Sequence, residues 1–320
     1  MEYLSIISNL MNRGWIYREK VDRRGVGLTV LQYYSQRYQH SSEIEWQERI
    51  ERGAISVDGQ KVKIDTVLEL GRELAYDRPP WQEPEVPLNF DILYEDKDLF
   101  VIAKPSGLPV LAGGSFLEHT LIWQLQQRYP EATPLPIHRL GRGTSGLMLL
   151  ARSSSARADL SQQMRDSRIA KIYRALIGGG NFPDTLTITD TIGKIPYPSL
   201  GYIYGATDKG LEARSDCRVL RRDRETTLLE VTILTGRPHQ IRIHLAAAGY
   251  PLIGDPLYIK GGIPRSIDPT ISTKLPTPSD CGYHLHAYSL SFDRPATGER
   301  MNFICSPPDS CLRELDLIGK

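Results

Sequence analysis

The segment "IHRLGRGTSGLML", residues 137–149, sets His138, two arginines, three glycines and a Thr-Ser pair ahead of an apolar run. Cations on a glycine-rich backbone suit the close approach of an anion. Yet the segment holds no carboxylate and no thiol, and Ser145 does not sit in the G-x-S-x-G frame of a nucleophile elbow. A second polar stretch, "LTGRPHQIR" at 234–242, lacks the spacing of a phosphate loop. Gly178, Gly179 and Gly180 read as a turn after a strand, not as a dinucleotide fingerprint. His239, His244, His284 and His286 have neither an HExxH frame nor cysteine partners, so no metal and no cofactor are expected. What remains is a site for an anionic ligand with no evident nucleophile.

The neighbouring chain supports an anionic ligand. Between residues 139 and 174 stand Arg139, Arg142, Arg152, Arg157, Arg165, Arg168, Lys171 and Arg174, against Asp159 and Asp166. Such a run is either the solvated face of a helix or, beside the glycine-rich motif, a polyanion surface. The whole chain carries a formal charge of only +1, so any affinity for nucleic acid must be local.

These residues need elements to position them. The 320 residues, 40% hydrophobic and 24% charged, read as a globular chain long enough for one small and one large domain. No apolar run reaches membrane-spanning length, and the first twenty residues lack the pattern of a secretory signal. The cysteines at 217, 281, 305 and 311 form no CxxC pair, which suits reduced thiols and a cytoplasmic protein. In residues 1–87, helices are expected over 28–38 and 41–53, the second opened by a Ser42–Glu45 capping box and ended at Gly53. A hairpin turns about Asp58-Gly59, and a proline-rich linker closes the module near Pro87. From 88 to 320 the expected elements are two strands within 90–110, a strand at "GLMLLARS" (146–153), a strand at 170–180, another at the head of 226–258, and a last one at 283–295. Helices are expected at 117–130, in the basic run after Ser153, and in an apolar stretch ending at Gly249. The irregular mixture predicts an α+β fold: a twisted, mainly antiparallel mixed sheet with flanking helices.

"HRLGRGTSGLMLLARS", "AKIYRALI", "GRPHQIRIHLAAAGYPLIGDPLY" and "HLHAYSLSF" together resemble the RluA-type RNA pseudouridine synthase family, in its order and at its spacings. "ILYEDKDLFVIAKPSGLPV" matches that family's opening strand pair, and the likeness covers roughly residues 88–307. "ISVDGQKV" and "LELGREL", with the helix ending at Gly53, resemble the small S-four-type RNA-binding domain.

The resemblance implies isomerisation of uridine to pseudouridine in structured RNA, ribosomal or transfer, by a monomer using no cofactor. It implies an extruded base and a carboxylate acting on the ribose. That family's aspartate follows His-Arg-Leu, and here Gly141 stands in its place. Arg139 matches the arginine that enters the opened stack, Tyr173 the tyrosine that stacks on uracil, and Arg242 the arginine that pairs with the carboxylate. Leu147 and Ile241 fall where apolar walls exclude water, and His138, Arg142, Arg165, Arg168 and Lys171 are expected to contact RNA. Asp255 in "GDPLY" is a candidate acid, but ordinary members of the family carry it too, so it is no evident replacement, and Asp190 in "TITDTIGK" is no better supported. On this reading Arg242 loses the counter-ion that aspartate would supply unless RNA phosphate or another acid neutralises it, and Gly141→Asp should fit, with Arg242 as its counter-ion and Gly143 leaving room. Three functions stay open: a synthase with a relocated acid, a non-catalytic RNA-binding protein descended from one, and a non-RNA enzyme on the same fold.

Overall fold

A computed structural model describes residues 11–198, 200–264 and 275–307. Residues 1–10 and Cys311 lie outside the described residues, so neither the leader reading nor that thiol is addressed. Cys217, Cys281 and Cys305 are free thiols. The chain divides into two compact units: Met1–Glu83 with Tyr197–Gly201, and Pro84–Pro196 with Tyr202–Lys320.

The first unit runs β1 (Trp15–Lys20), α1 (Val30–Arg37), α2 (Glu43–Glu51), β2 (Ile55–Val57), β3 (Gln60–Lys61) and β4 (Glu73–Arg78). Both helices begin with reciprocal capping boxes, Thr29 with Gln32 and Ser42 with Glu45. Each such cap contributes about 1 kcal/mol. Asp58 and Gly59 both take positive φ (48° and 79°), the conformation a two-residue hairpin turn demands. The strands order as β1-β4-β2-β3. Trp46, Tyr33, Tyr34 and Ile50 fill the space between helices and sheet, with the Trp46 and Tyr34 ring centroids 4.8 Å apart.

The second unit continues with β5 (Asp91–Glu95), β6 (Leu99–Lys104), α3 (Leu121–Arg128), β7 (Leu135–Pro136), β8 (Ser145–Ala151), α4 (Ser154–Arg165) and β9 (Ala170–Gly178). Then follow β10 (Thr185–Ile188), β11 (Ile192–Tyr197), β12 (Gly201–Ala206), β13 (Ser215–Arg222), β14 (Thr226–Ile233), α5 (Gln240–Ala247), β15 (Leu285–Asp293) and β16 (Arg300–Ile304). The main sheet orders as β10-β13-β14-β9-β15-β8-β6-β5, with β16 beside β15 and β7 beside β8. Its pairings are antiparallel except β8 with β15. The α+β fold with a mixed, mainly antiparallel sheet is therefore as the sequence predicts. β8 is buried at every residue, the signature of a strand covered on both faces. The basic run folds as α4, capped by the Ser153 hydroxyl and packed on β8 and β15. α5 buries Gln240 through Ala246 without a break, and polar residues in it must therefore find partners inside the protein.

Candidate active site

The motif at 137–149 is a loop that turns into β8. A tight turn, with the Thr144 N–H donating to the Gly141 carbonyl at 3.0 Å, shapes its tip. Three clamps hold the loop. The buried Lys104 ammonium donates to the carbonyls of Pro105 (2.7 Å), Leu108 (2.9 Å) and Arg142 (3.1 Å). Arg142 Nε donates to the Gly107 carbonyl at 3.1 Å, and the Gly107 N–H donates back to the Arg142 carbonyl at 2.8 Å. His138 Nε2 accepts the Leu149 N–H at 3.2 Å. Burial, with Lys171 adding repulsion, pulls His138 down to about 3, so the ring stays neutral and keeps that lone pair available.

Lys104 carries a measurable consequence. Burial draws its amine down to about 7, whereas an unfolded lysine titrates near ~10.4. Between those values the unfolded chain binds more protons, so stability rises with pH above 7 and is flat below, by at most about 1.4 kcal/mol per pH unit. Urea unfolding of the wild type and Lys104→Met at pH 6 to 9 should show the difference between them growing in favour of the wild type as pH rises. A pH-independent difference would contradict this assignment.

A cavity of about 90 Å³ opens beside the loop. The loop contributes Arg139, Leu140, Gly141 and Thr144, and β9 contributes Tyr173. The approach to α5 and its first turn contribute Arg237, His239, Gln240, Ile241 and Arg242, while Tyr283 and Leu285 close it from the C-terminal side. His239, the N-cap of α5, has left-handed backbone (φ 55°). Its Nδ1 lies 2.7 Å from Tyr258 Oη, which itself donates to the Tyr204 carbonyl at 2.8 Å. The phenolic proton is thus committed, and His239 must hold its own proton on Nδ1. Burial, aided by the nearby Arg242, brings His239 down to about 4.

Arg242 is the buried charge of the site. Its Nε and Nη2 donate to the two oxygens of Asp255 at 2.7 and 2.8 Å, with both side chains almost fully enclosed (2% and 1% exposed). Nη1 donates to the Pro278 carbonyl at 3.2 Å. The guanidinium lies over the Tyr283 ring at 4.1 Å and the Tyr258 ring at 4.9 Å. Burial is the largest influence and opposes its charge, but the hydrogen-bonded Asp255 carboxylate with Tyr283 and Tyr258 together outweigh it, and the guanidinium is held above its ordinary value. Of the two ways left open for neutralising Arg242, the structure takes the second: another acid, from the "GDPLY" turn, is its counter-ion. Asp255 Oδ1 also accepts the N–H groups of Leu257 (2.9 Å) and Tyr258 (3.1 Å). With four donors on one carboxylate, Asp255 is an anchor for Arg242. Asp190 is exposed and offers its backbone carbonyl to His244. None of the residues lining the cavity is an aspartate or glutamate.

The cavity brings together Arg139, Gly141, Tyr173, Ile241 and Arg242 from three separate stretches of sequence. Arg139 is exposed at its edge, and Tyr173 is buried in its wall with burial raising the phenol. Leu147 is elsewhere, in the core of the large sheet. His138 and Arg142 serve the loop's own clamps, with the Arg142 guanidinium over the Phe116 ring at 4.9 Å. Lys171 is buried, with its ammonium 3.4 Å from Met164 Sδ, so it does not face solvent as a phosphate contact would. Arg165 is exposed on α4 and bonds its neighbour Gln162, while Arg168 pairs with Asp293 at 3.2 Å. The basic run is further divided by Arg152–Glu95 and Arg174–Glu230 pairs, both at 2.7 Å.

Tyr283 escaped the sequence reading. Its signal was the pair Gly141 and Gly143. A Cβ on Gly141 would lie 2.8 Å from Tyr283 Oη, and one on Gly143 would lie 2.9 Å from two carbons of the same ring. The Gly141→Asp expectation is corrected accordingly: the space is taken by a buried tyrosine, and Arg242 is already paired.

The RNA pseudouridylate synthase family model matches residues 98–247, the span from β6 to the last turn of α5. A protein of Synechocystis named as an uncharacterized RNA pseudouridine synthase is 53% identical over 291 residues, covering 91% of this chain and 98% of its own. The chain belongs to the RNA pseudouridylate synthase family. Other family members are close as well: RNA pseudouridine synthase 5 of Arabidopsis thaliana is 37% identical, covering 93% of each chain. Ribosomal large subunit pseudouridine synthase D of Pseudomonas aeruginosa is 33% identical over 84% of this chain and 85% of its own. The solved structure of human RNA pseudouridylate synthase domain containing 1 shares the fold, with a TM-score of 0.54 over 74% of this chain and 97% of that one at 23% identity. The loop at 137–149, β9 and the first turn of α5, which meet at the cavity, all lie within the matched residues.

Proposed function

We propose that the protein is an RNA pseudouridine synthase, converting a uridine of ribosomal or transfer RNA to pseudouridine. The observation that carries this reading is the convergence of Arg139, Tyr173, Ile241 and Arg242 on one cavity in a chain of this family. Each has chemistry to contribute. A planar cation at the cavity's edge suits Arg139 to fill the stack vacated by an extruded nucleotide and to pair with phosphate. The Tyr173 ring offers a π face to uracil, and burial keeps its hydroxyl protonated. Ile241 supplies apolar wall, and Arg242, fixed by Asp255, brings a positive potential that stabilises negative charge developing on the base or the ribose. The exposed Arg157 and Arg165 on α4 would attract the RNA backbone, with residues 1–87 acting as an S-four-type RNA-binding module. We place the protein in the cytoplasm as a monomer. Among the described residues no helix is long and apolar enough to cross a membrane.

The test is direct. Total RNA from a strain lacking the gene is incubated with purified protein, and pseudouridine is counted and mapped by carbodiimide-dependent reverse-transcriptase stops. New pseudouridine at one or a few positions is the expected outcome. Tight RNA binding with no conversion at any position would instead favour a non-catalytic RNA-binding protein.

A further inference from the structure

The cavity wall lacks a carboxylate, but it has a hydroxyl where a side chain at position 141 would project. We propose that Tyr283 is a catalytic residue, its phenolic oxygen taking the covalent role at the ribose that an acid after His-Arg-Leu would serve; this rests on the synthase reading above. A Cβ on Gly141 would begin 2.8 Å from Tyr283 Oη, so the hydroxyl already occupies the volume such a side chain would extend into. Gly143 gives way to the same ring, 2.9 Å from the position its own Cβ would take. Two glycines in one motif therefore make room for one phenol.

The ring is held from three sides. Gly282, at φ +119°, precedes it, and a Cβ on Gly254 would fall 2.0 Å from the Gly282 carbonyl, so the two loops touch through backbone. The His284 N–H donates to the Ile253 carbonyl at 3.3 Å. The Arg242 guanidinium covers the ring face at 4.1 Å. The hydroxyl's hydrogen-bond partner is Thr144 Oγ1 at 3.3 Å, long enough to exchange for a substrate atom. Burial keeps the phenol protonated at neutral pH, with Arg242 pulling in the opposite direction.

That protonation state balances the reaction. Tyr283 Oη bonds to the ribose C1′ as the C1′–N1 bond breaks, and the phenolic proton passes to the departing uracil. The products are an aryl glycoside on the enzyme and neutral uracil. Uracil turns to present C5, the C5–C1′ bond forms as the Oη–C1′ bond breaks, and the C5 proton returns to the phenoxide. No proton or electron is gained or lost overall. Arg242 over the ring favours the transient phenoxide, and tyrosine nucleophiles at an anomeric carbon have precedent in sialidases.

The experiment compares the wild type with Tyr283→Phe on the same RNA, which keeps the ring between Gly143 and Arg242. Turnover should fall on the order of 10⁴-fold, as for other nucleophile deletions, with RNA Kd and Tm unchanged. In parallel, RNA carrying 2′-fluorouridine, which slows breakdown of a ribosyl intermediate, is incubated with wild-type protein, and the adduct is mapped by peptide mass spectrometry. A ribosyl adduct on Tyr283 supports the proposal even if the variant misfolds. Turnover of Tyr283→Phe within tenfold of wild type, or an adduct on another residue, overturns it while leaving the synthase reading intact. A wild type that converts no uridine overturns both.

Discussion

Replacing Asp255 with alanine should destabilise the protein by about 3–5 kcal/mol, the cost of leaving a buried charge without its partner. The guanidinium of Arg242 would remain enclosed, with the Pro278 carbonyl as its remaining acceptor. The Leu257 and Tyr258 N–H groups would lose theirs as well. Asp255→Asn should be milder, since an amide oxygen can still accept from one or two of these donors. Equilibrium urea unfolding reads the effect, and a loss under about 1 kcal/mol for the alanine variant would mean that water reaches the pair. Because both partners are enclosed, the loss should persist at high salt, unlike that of an exposed pair.

Gly141→Asp is the second large effect, and its sign runs against the simplest reading of the motif. Restoring an acid after His-Arg-Leu looks like a repair, but the side chain would meet Tyr283 Oη at its first carbon. Overpacking of this kind costs about 1–3 kcal/mol, and a carboxylate placed there finds Arg242 already satisfied by Asp255. We expect lower stability and lower pseudouridine formation than wild type. Gly141→Ala, adding the Cβ alone, should give a smaller loss, and Gly141→Asp with Tyr283→Phe should recover much of the stability because the closest contact is gone. Denaturation midpoints of the three variants check this ordering. A stable, more active Gly141→Asp would show that the Tyr283 ring moves aside easily.

The parts of the fold legible in sequence are those with local causes. Ser42 with Glu45, Ser153 ahead of α4, Gly53 and Asp58-Gly59 each act within four residues, and each is found in its expected role. β8 announces itself because both its faces are buried. The strands that went unread have weak patterns. β1, "WIYREK", buries none of its residues fully and sits at the edge of its sheet. Between 185 and 222, β11 contains Pro196 and belongs to a two-stranded sheet with β12, so its sequence resembles a loop. Of the residues singled out by the motif register, Arg139, Tyr173, Ile241 and Arg242 line one cavity, but the register could not rank acids by distance. Asp255 is 13 residues from Arg242 and bonded to it, while Tyr283 is 139 residues from its partner Thr144. Such pairings are made by the tertiary fold, and no spacing rule contains them. Leu147 shows the converse: an apolar residue beside a motif is as well suited to the core, and there it went.

The position of β15 in the sheet bears on how the protein is made. It follows every other strand of the sheet except β16, yet it lies between β9 and β8. A nascent chain halted before residue 285 would therefore carry two half-sheets, β10-β13-β14-β9 and β8-β6-β5, with the edge of β9 unpaired and the edge of β8, half covered by β7, open at Ser145 and Gly146. Such edges are templates for pairing with other chains. Contacts closed so late in the sequence are slow to form and leave intermediates exposed. Tyr283, two residues ahead of β15, reaches Thr144 and Arg242 only when that strand docks. Synthesis thus leaves the cavity without the wall formed by Tyr283 and Leu285 until the last strands of the sheet are made.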